Sequence, residues 1–238
     1  MRMAVFSDIH GNKHALDAVL ADIPSRVPDL VVCLGDLVGY GAYPDAVVQT
    51  IRESGIATVI GNYDDAIANR RMVCGCDYKD EKAMEAGVKS TTWTMENTGE
   101  ANKGFLLSLP DKMVKAIEGR KVVFVHGSPR KINEYLYEDV PAADIISMLQ
   151  QADADVLVCG HTHLPYHRMF DGRHIINVGS VGKPKHGDPQ AVYALIDIRT
   201  DIQVRFIKIS YDHESAARAV EKAGLPDEFA AIIRTGIG

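Results

Sequence analysis

Short runs of aliphatic residues recur along the chain, and each stops abruptly at a polar residue beside Gly, Ser or His. Met3 to Phe6 runs into Ser7-Asp8, Leu30 to Leu34 into Gly35-Asp36, and Ile56 to Ile60 into Gly61-Asn62. Val122 to Val125 runs into His126-Gly127, and Val156 to Cys159 into Gly160-His161. Four or five aliphatic residues without polar alternation are the pattern of strands buried on both faces. Between the early runs lie segments of helical period, Leu16, Val19, Leu20 and Ile23, then Val47, Val48 and Ile51 behind Pro44 at a helix start. Strand, helix, strand predicts right-handed crossovers and a mainly parallel sheet. The carboxyl ends of its strands gather on one edge, where open α/β sheets bind ligands. The five polar stops should therefore converge.

After Arg168 the pattern changes to hairpins: Tyr166 to Phe170 with His174 to Val178 around Asp171-Gly172, and Val192 to Ile198 with Ile202 to Ile209 around Arg199-Thr200-Asp201. These predict a second sheet packed against the first. Residues Asp64 to Ser108 hold no strand-like run but much helix-compatible sequence, Asp80 to Met95 above all, and read as a helical insertion at the ligand edge, a natural lid. Trp93 is expected to anchor a small core of the insertion's own. The tail from Asp212 to Arg234 reads as two short helices broken near Gly224 to Pro226.

With 238 residues and 46% hydrophobic content, the chain can bury the core of one large α/β domain, so a single domain over 1–238 with a lid at about 64–108 is expected. The formal charge of -6 lacks the clustered Lys and Arg that nucleic-acid polymers or anionic membranes require, so neither is expected as a partner. No apolar stretch approaches the roughly 20 residues of a membrane span. Four cysteines are too few for a disulfide framework. Reduced thiols in a cytoplasmic protein are expected, with Cys74 and Cys76 inert. The residues leave the oligomeric state open.

An acidic chain that binds an anion needs positive charge from elsewhere, and the polar stops offer it. Asp8, His10, Asp36, Asn62, His126, His161 and His163 all sit at the ends of predicted buried strands. Such a donor set is too nitrogen-rich for Ca²⁺ or Mg²⁺ and lacks the thiolates of structural zinc, so it suits Mn, Fe, Co, Ni or Zn. His14, His167, His174 and His213 have no comparable context and read as surface or satisfied histidines.

D-x-H at Asp8 to His10, G-D at Gly35-Asp36, G-N-x-D at Gly61 to Asp64, the single His126, and G-H-x-H at Gly160 to His163 together resemble the calcineurin-like metallophosphoesterases. G-D-L-V-G-Y-G at Gly35 to Gly41 and G-S-V-G at Gly179 to Gly182 are similar to the short bacterial and archaeal phosphodiesterase-like group. The resemblance implies an α/β fold of two packed mixed sheets flanked by helices, a four-layer sandwich. It implies two divalent transition metals, Mn foremost with Ni, Fe, Co or Zn as substitutes. One is held by Asp8, His10 and His163, the other by Asn62, His126 and His161, with Asp36 bridging; Asp36, Asn62 and His126 are the catalytic core. The activity implied is hydrolysis of a phosphodiester or phosphoanhydride in a small nucleotide-like substrate, through a metal-bridging hydroxide. Hydrolysis of dinucleoside polyphosphates in particular, or a non-catalytic interaction scaffold, are the alternatives.

Asn12, Tyr63, Lys183 and His186 are the candidate substrate contacts, although Asn12 also suits the cap of the following helix. Many relatives carry a proton-donating His where Tyr63 stands here. A phenol of pKa near 10 is a weak general acid at neutral pH, so good leaving groups should be favoured. Gly39 and Tyr40 replace the Asp and Arg of the phosphoprotein-phosphatase motif, which argues against a Ser/Thr phosphatase.

Overall fold

The computed structural model describes residues 1–78 and 80–238. Strand β1 (Arg2–Phe6) leads through helix α1 (Lys13–Asp22) to β2 (Leu30–Cys33), and α2 (Pro44–Ser54) leads to a two-residue β3 (Ala57–Thr58). Three helices follow, α3 (Asn62–Ala68), α4 (Glu81–Glu96) and α5 (Glu100–Leu107), then strands β4 (Lys112–Ile117) and β5 (Arg120–Val125). Helix α6 (Ala142–Gln151) precedes β6 (Val156–Cys159) and two hairpins, β7 (Tyr166–Phe170) with β8 (Arg173–Asn177) and β9 (Ala191–Ile198) with β10 (Ile202–Ile209). The chain closes on α7 (His213–Lys222) and α8 (Asp227–Thr235).

The strands form two mixed sheets of five, in the orders β10-β9-β1-β2-β3 and β4-β5-β6-β8-β7. In the first, β1, β2 and β3 are parallel while β9 and β10 are antiparallel additions. In the second, β5, β6 and β8 are parallel between antiparallel edges β4 and β7. This corrects the partition expected from the sequence, where the parallel strands made one sheet and the hairpins the other. Each sheet takes one hairpin, and β5 and β6 leave the first sheet for the second.

Four layers follow from the alternation within the strands. Met3 and Val5 of β1 and Val32 of β2 point between the sheets, where they meet Val122, Phe124, Val156, Val158 and Ile176. Ala4, Phe6 and Cys33 point outward beneath Leu16 and Val19 of α1 and Val47, Val48 and Ile51 of α2. On the far side, Ile145, Met148 and Leu149 of α6 cover Val123, Val125 and Leu157. Strands buried on both faces carry the unbroken aliphatic runs that the sequence shows. No helix among the described residues is long and apolar enough to cross a membrane.

The described residues of 64–108 hold helices α3, α4 and α5 joined by irregular chain, and no strand. They have no core of their own: Ala86 and Trp93 pack with Val220, Phe229 and Ile233 of the C-terminal helices, which corrects the role expected for Trp93. A second correction concerns Cys74 and Cys76, which are joined as a disulfide rather than held as reduced thiols. Gly75, at φ +72°, turns the chain back and brings the two Cα atoms to 5.5 Å, within the range a disulfide spans. Cys33 and Cys159 are free and buried.

Candidate metal centre

The polar stops converge. β1 delivers Asp8 and His10, β2 delivers Asp36, β3 leads to Asn62 at the first position of α3, β5 delivers His126, and β6 delivers His161 and His163. All seven are buried. Five of them, Asp8, His10, Asp36, His161 and His163, lie in the left-handed backbone region, with φ between 51° and 66°. L residues enter this region at a cost and stay only where the surroundings over-determine them. Here the loops lock one another: the Asp8 amide donates to the Gly35 carbonyl at 3.0 Å and the His10 amide to the Asp36 carbonyl at 2.9 Å. The Asp64 carboxylate gathers three more amides, those of Leu37, Val38 and Gly61. A Cβ at Gly61 would be driven into the Asp36 carboxylate, so only glycine lets these two loops close.

Donor atoms fall into two groups. Asp8, His10 and His163 each present one within 4.8 Å of the others, and so do Asp36, His126 and His161. His10 Nε2 stands 3.1 Å from His163 Nε2, and His126 Nε2 stands 3.1 Å from His161 Nδ1 and 2.9 Å from Asn62 Oδ1. Donors held at about 2.1 Å from one ion stand about 3.0–3.4 Å apart in right-angled and tetrahedral arrangements, so these spacings fit shared cations. Asp36 Oδ2 lies 3.7 Å from His10 Nε2 in one group and 3.4 Å from His126 Nε2 in the other. The Asp8 Oδ1 atom is buried without a hydrogen-bond partner, 3.3 Å from His163 Nε2. A buried carboxylate oxygen orphaned among inward-facing nitrogens fits a cation rather than a proton network.

Three of the four rings are aimed from behind. His10 Nδ1 donates to the Val38 carbonyl at 3.1 Å, His126 Nδ1 to Leu34 at 2.9 Å, and His163 Nδ1 to Lys183 at 2.6 Å, which turns every Nε2 lone pair inward. His161 is reversed, with Nδ1 inward and its ring against Tyr135, 4.0 Å between centroids and tilted by 32°. Asp36 Oδ1 accepts from the Tyr63 amide at 2.8 Å, and Asp8 Oδ2 from the His161 amide at 3.0 Å. The Asn62 amide nitrogen donates to the Cys74 carbonyl at 3.1 Å and to Cys76 Sγ at 3.3 Å, leaving its oxygen for the site.

Protonation states suit cation binding. Burial, with help from neighbouring cations, pushes His10, His161 and His163 below the ordinary histidine value, so their lone pairs are free. His126 departs: burial opposes its charge, but the Asp36 carboxylate overrides it and lifts the ring to about 9. Burial likewise opposes ionisation of Asp8, and the fields of His163, His126 and His10 overcome it, holding the carboxyl far below the usual range. Asp64 is pushed up to about 7 by burial and by the charge of Asp36.

Of the candidate substrate contacts, Tyr63 lines the cavity, which is also bordered by Tyr40, Cys76, Tyr135 and Lys185. The Tyr63 ring fits because position 39 is glycine; a Cβ there would enter the ring. Asn12 belongs to the scaffold instead: it caps α1 by accepting from the Ala15 amide, and it donates to the Gly182 carbonyl and the Tyr211 hydroxyl. Lys183 is buried over the Tyr40 ring at 3.7 Å, and Lys185 lines the cavity in its place. His186 is half-buried and is not among the lining residues. The G-S-V-G segment supports β1, with Ser180 Oγ donating to the Asp8 carbonyl at 2.8 Å.

Sequence reading gave no part to Tyr135 and Lys185, quoted Asp64 only as the end of the G-N-x-D motif, and took Cys76 as inert. Only Asp64 left a signal, a carboxylate three residues after Gly61 at a helix start. Helices α4 and α5 have no bearing on the donors, but residues 70–78 bring Cys76 to the cavity edge.

The geometry agrees with what related proteins show. The model of the calcineurin-like phosphoesterase superfamily domain matches residues 1–201. The chain is 33% identical to an uncharacterized protein of Methanocaldococcus jannaschii over 94% of both chains. A metallophosphoesterase of Sphaerobacter thermophilus is 30% identical and superimposes with a TM-score of 0.80, covering 100% of this chain and 99% of the other. A hypothetical protein of Pyrococcus horikoshii, 24% identical, shares the fold at a TM-score of 0.86 over 99% and 98% of the two chains. Five motifs in order, a donor cage at their meeting point and a family model over most of the length lead to one assignment: this chain belongs to the calcineurin-like phosphoesterase superfamily.

Proposed function

We propose that this protein is a dinuclear-metal phosphoesterase that hydrolyses phosphodiester or phosphoanhydride bonds in a small nucleotide-like substrate. One observation carries the proposal: Asp36 Oδ2 stands between the two donor groups, 3.7 Å from His10 Nε2 and 3.4 Å from His126 Nε2, so a single carboxylate serves two ion positions. Asp8, His10 and His163 hold one ion, Asn62, His126 and His161 the other. Two divalent ions supply Lewis acidity toward phosphoryl oxygens and draw a nucleophile from water near neutral pH. Mn²⁺ is the ion of choice, with Ni, Fe, Co or Zn as substitutes.

The chain's own residues set what the site does with that chemistry. Asp8 and Asp36 only partly offset two dications, so the cavity is positive inside an acidic protein and draws a phosphate in. Tyr63 is buried, and burial pushes its hydroxyl well above the usual phenol value, so it holds its proton when the leaving oxygen needs one. Lys185 adds a cation at the cavity wall. Residues 64–108 act as the lid that selects substrates, through Cys76 at the rim. A cytoplasmic location is kept for the protein on its free, buried Cys33 and Cys159, with the Cys74–Cys76 disulfide the observation that speaks against it. Its partner is a small phosphorylated molecule and neither a nucleic-acid polymer nor a membrane.

Loading the purified chain with Mn²⁺, Ni²⁺ or Zn²⁺ and assaying aryl diesters, alkyl diesters, phosphomonoesters and dinucleoside polyphosphates tests the proposal. Two ions per chain and turnover of diesters or anhydrides are expected. Two bound ions without turnover of any phosphoester would leave a metal-binding scaffold, and fewer than two ions would remove the dinuclear reading.

A further inference from the structure

Beyond the donor cage, a row of rings rises from the metal site toward solvent. Tyr135 lies against His161, 4.0 Å between centroids and tilted by 32°, and lines the cavity. Tyr137, two residues on, lies parallel to Tyr135, 5° between planes and 5.5 Å between centroids, and is 42% exposed. Tyr135 is covered on one side by His161 and on the other by Tyr137, so the rings form a column whose outer face, on exposed Tyr137, a flat solute can cover.

The segment that carries them is held rigidly. After His126 the chain turns back on itself: the Ser128 amide donates to the Lys131 carbonyl at 2.9 Å, and the Arg130 guanidinium grips Glu134, which also takes the Ser128 hydroxyl. A Cβ at Gly127 would strike the Ile132 carbonyl, so the turn closes only on glycine. Asn133 donates to the Gly75 carbonyl at 2.7 Å and ties the segment to the rim. The two rings are thus placed in advance, which lowers the ordering cost of stacking on them.

Charge around the outer ring argues for a particular kind of solute. Asp77 and Asp139 act on Tyr137 and, after burial, raise its hydroxyl above the ordinary value. Carboxylates there repel a second phosphate. They welcome N–H donors, such as the exocyclic amines of a nucleobase.

We propose that Tyr135 and Tyr137 form the binding platform for a neutral nucleobase whose phosphate sits at the metals. The inference rests on the phosphoesterase reading, and it names the part of the substrate that lies outside the cage. Base stacking on aromatic side chains changes affinity by about tenfold per ring, and by more in tight sites.

Calorimetric binding to the Mn²⁺-loaded protein tests it, and this readout does not depend on turnover, so a failed hydrolysis assay does not decide the result. Adenosine 5′-monophosphate is compared with ribose 5-phosphate, and phenyl phosphate with methyl phosphate. Adenosine 5′-monophosphate should bind about tenfold tighter than ribose 5-phosphate. Tyr137→Ala should remove that gap and leave ribose 5-phosphate and metal content unchanged, whereas Tyr137→Phe keeps most of it. Phenyl should gain less over methyl than adenine does over no base. Equal binding of adenosine 5′-monophosphate and ribose 5-phosphate, or a gap that survives Tyr137→Ala, overturns the platform. An equal gain for phenyl and adenine overturns its assignment to a nucleobase.

Discussion

On the strand side of the site, five of the seven donors are oriented by hydrogen bonds from neighbouring loops, His161 rests against the Tyr135 ring, and amide-to-carbonyl contacts between strand-end loops lock the backbones of Asp8 and His10. On the opposite side, residues 70–78 carry no helix or strand and touch the cavity through Cys76. The two regions meet at Asn62, whose amide is held by Cys74 and Cys76 rather than by a strand-end loop. The contrast separates two tasks. A cage that must present donors to within a few tenths of an ångström is built on rigid elements, while a rim that admits a substrate can be built on loosely tied chain.

The strongest way to break the comparison is to damage the strand side. Asp36→Asn removes the shared charge but keeps the oxygen that accepts from the Tyr63 amide, so the fold should hold while activity falls about 10³-fold or more. Metal content and kcat on an aryl diester check this; two ions bound at wild-type affinity would show that Asp36 does not bridge.

A smaller effect is expected at Tyr63, which belongs to the strand side but faces the cavity. Tyr63→His supplies a group able to give up a proton near neutrality, and should raise kcat/KM about 10²-fold for alkoxide leaving groups while changing aryl ones little. Gly39 leaves room for the smaller ring. The check is a plot of log kcat/KM against leaving-group pKa, and parallel lines for the two proteins would assign the proton to another group.

Breaking the rim should do less. In Cys74→Ser/Cys76→Ser the amide of Asn62 loses its sulfur partner, and affinity for the ion on the Asn62 side should fall about tenfold, with the Asp8 side unchanged. Stepwise metal titration separates the two sites, and equal weakening of both would erase the distinction between floor and rim.

The smallest effect is a proton count. His126 has a folded value of about 9, raised above its unfolded 6.5, so it favours the metal-free fold fully below about pH 6.5 and that contribution fades as pH rises toward 9. A metal takes the proton's place, so loading at pH 7.5 should release about one proton from His126 beyond the one given up by metal-bound water, the His126 share halving near pH 9 and vanishing above it, while the neutral His10, His161 and His163 release none. Calorimetry in buffers of different ionisation enthalpy measures it.

What was legible in the sequence tracks this same division. The strand runs and their polar stops could be read because strands buried on both faces tolerate no polar residue until they end, which puts the ligands at visible breaks. Strand β4 escaped because two lysines, exposed Lys112 and half-buried Lys115, interrupt its aliphatic residues, and Val114 and Ala116 face water instead of the core. The splitting of the hairpins between two sheets escaped because partner choice is a tertiary matter that no local period records. Lys183 was taken for Lys185 because in an irregular loop two residues can exchange facing without any change of pattern. The Cys74 to Cys76 disulfide depends on one positive φ at Gly75, and the rings of Tyr135 and Tyr137 lie nine and eleven residues beyond the nearest motif, with nothing around them to mark their use.

The left-handed backbones at Asp8, His10, Asp36, His161 and His163 carry a consequence for how such a protein changes over time. Each costs about 1 kcal/mol even for residues that tolerate the region, so the five together draw about 5 kcal/mol from a fold whose whole margin is about 5–15 kcal/mol. Glycine at any of them would relax the chain, so drift that relieves the strain also erases a ligand. A descendant with no use for this donor set would have an easy downhill route to a sturdier protein.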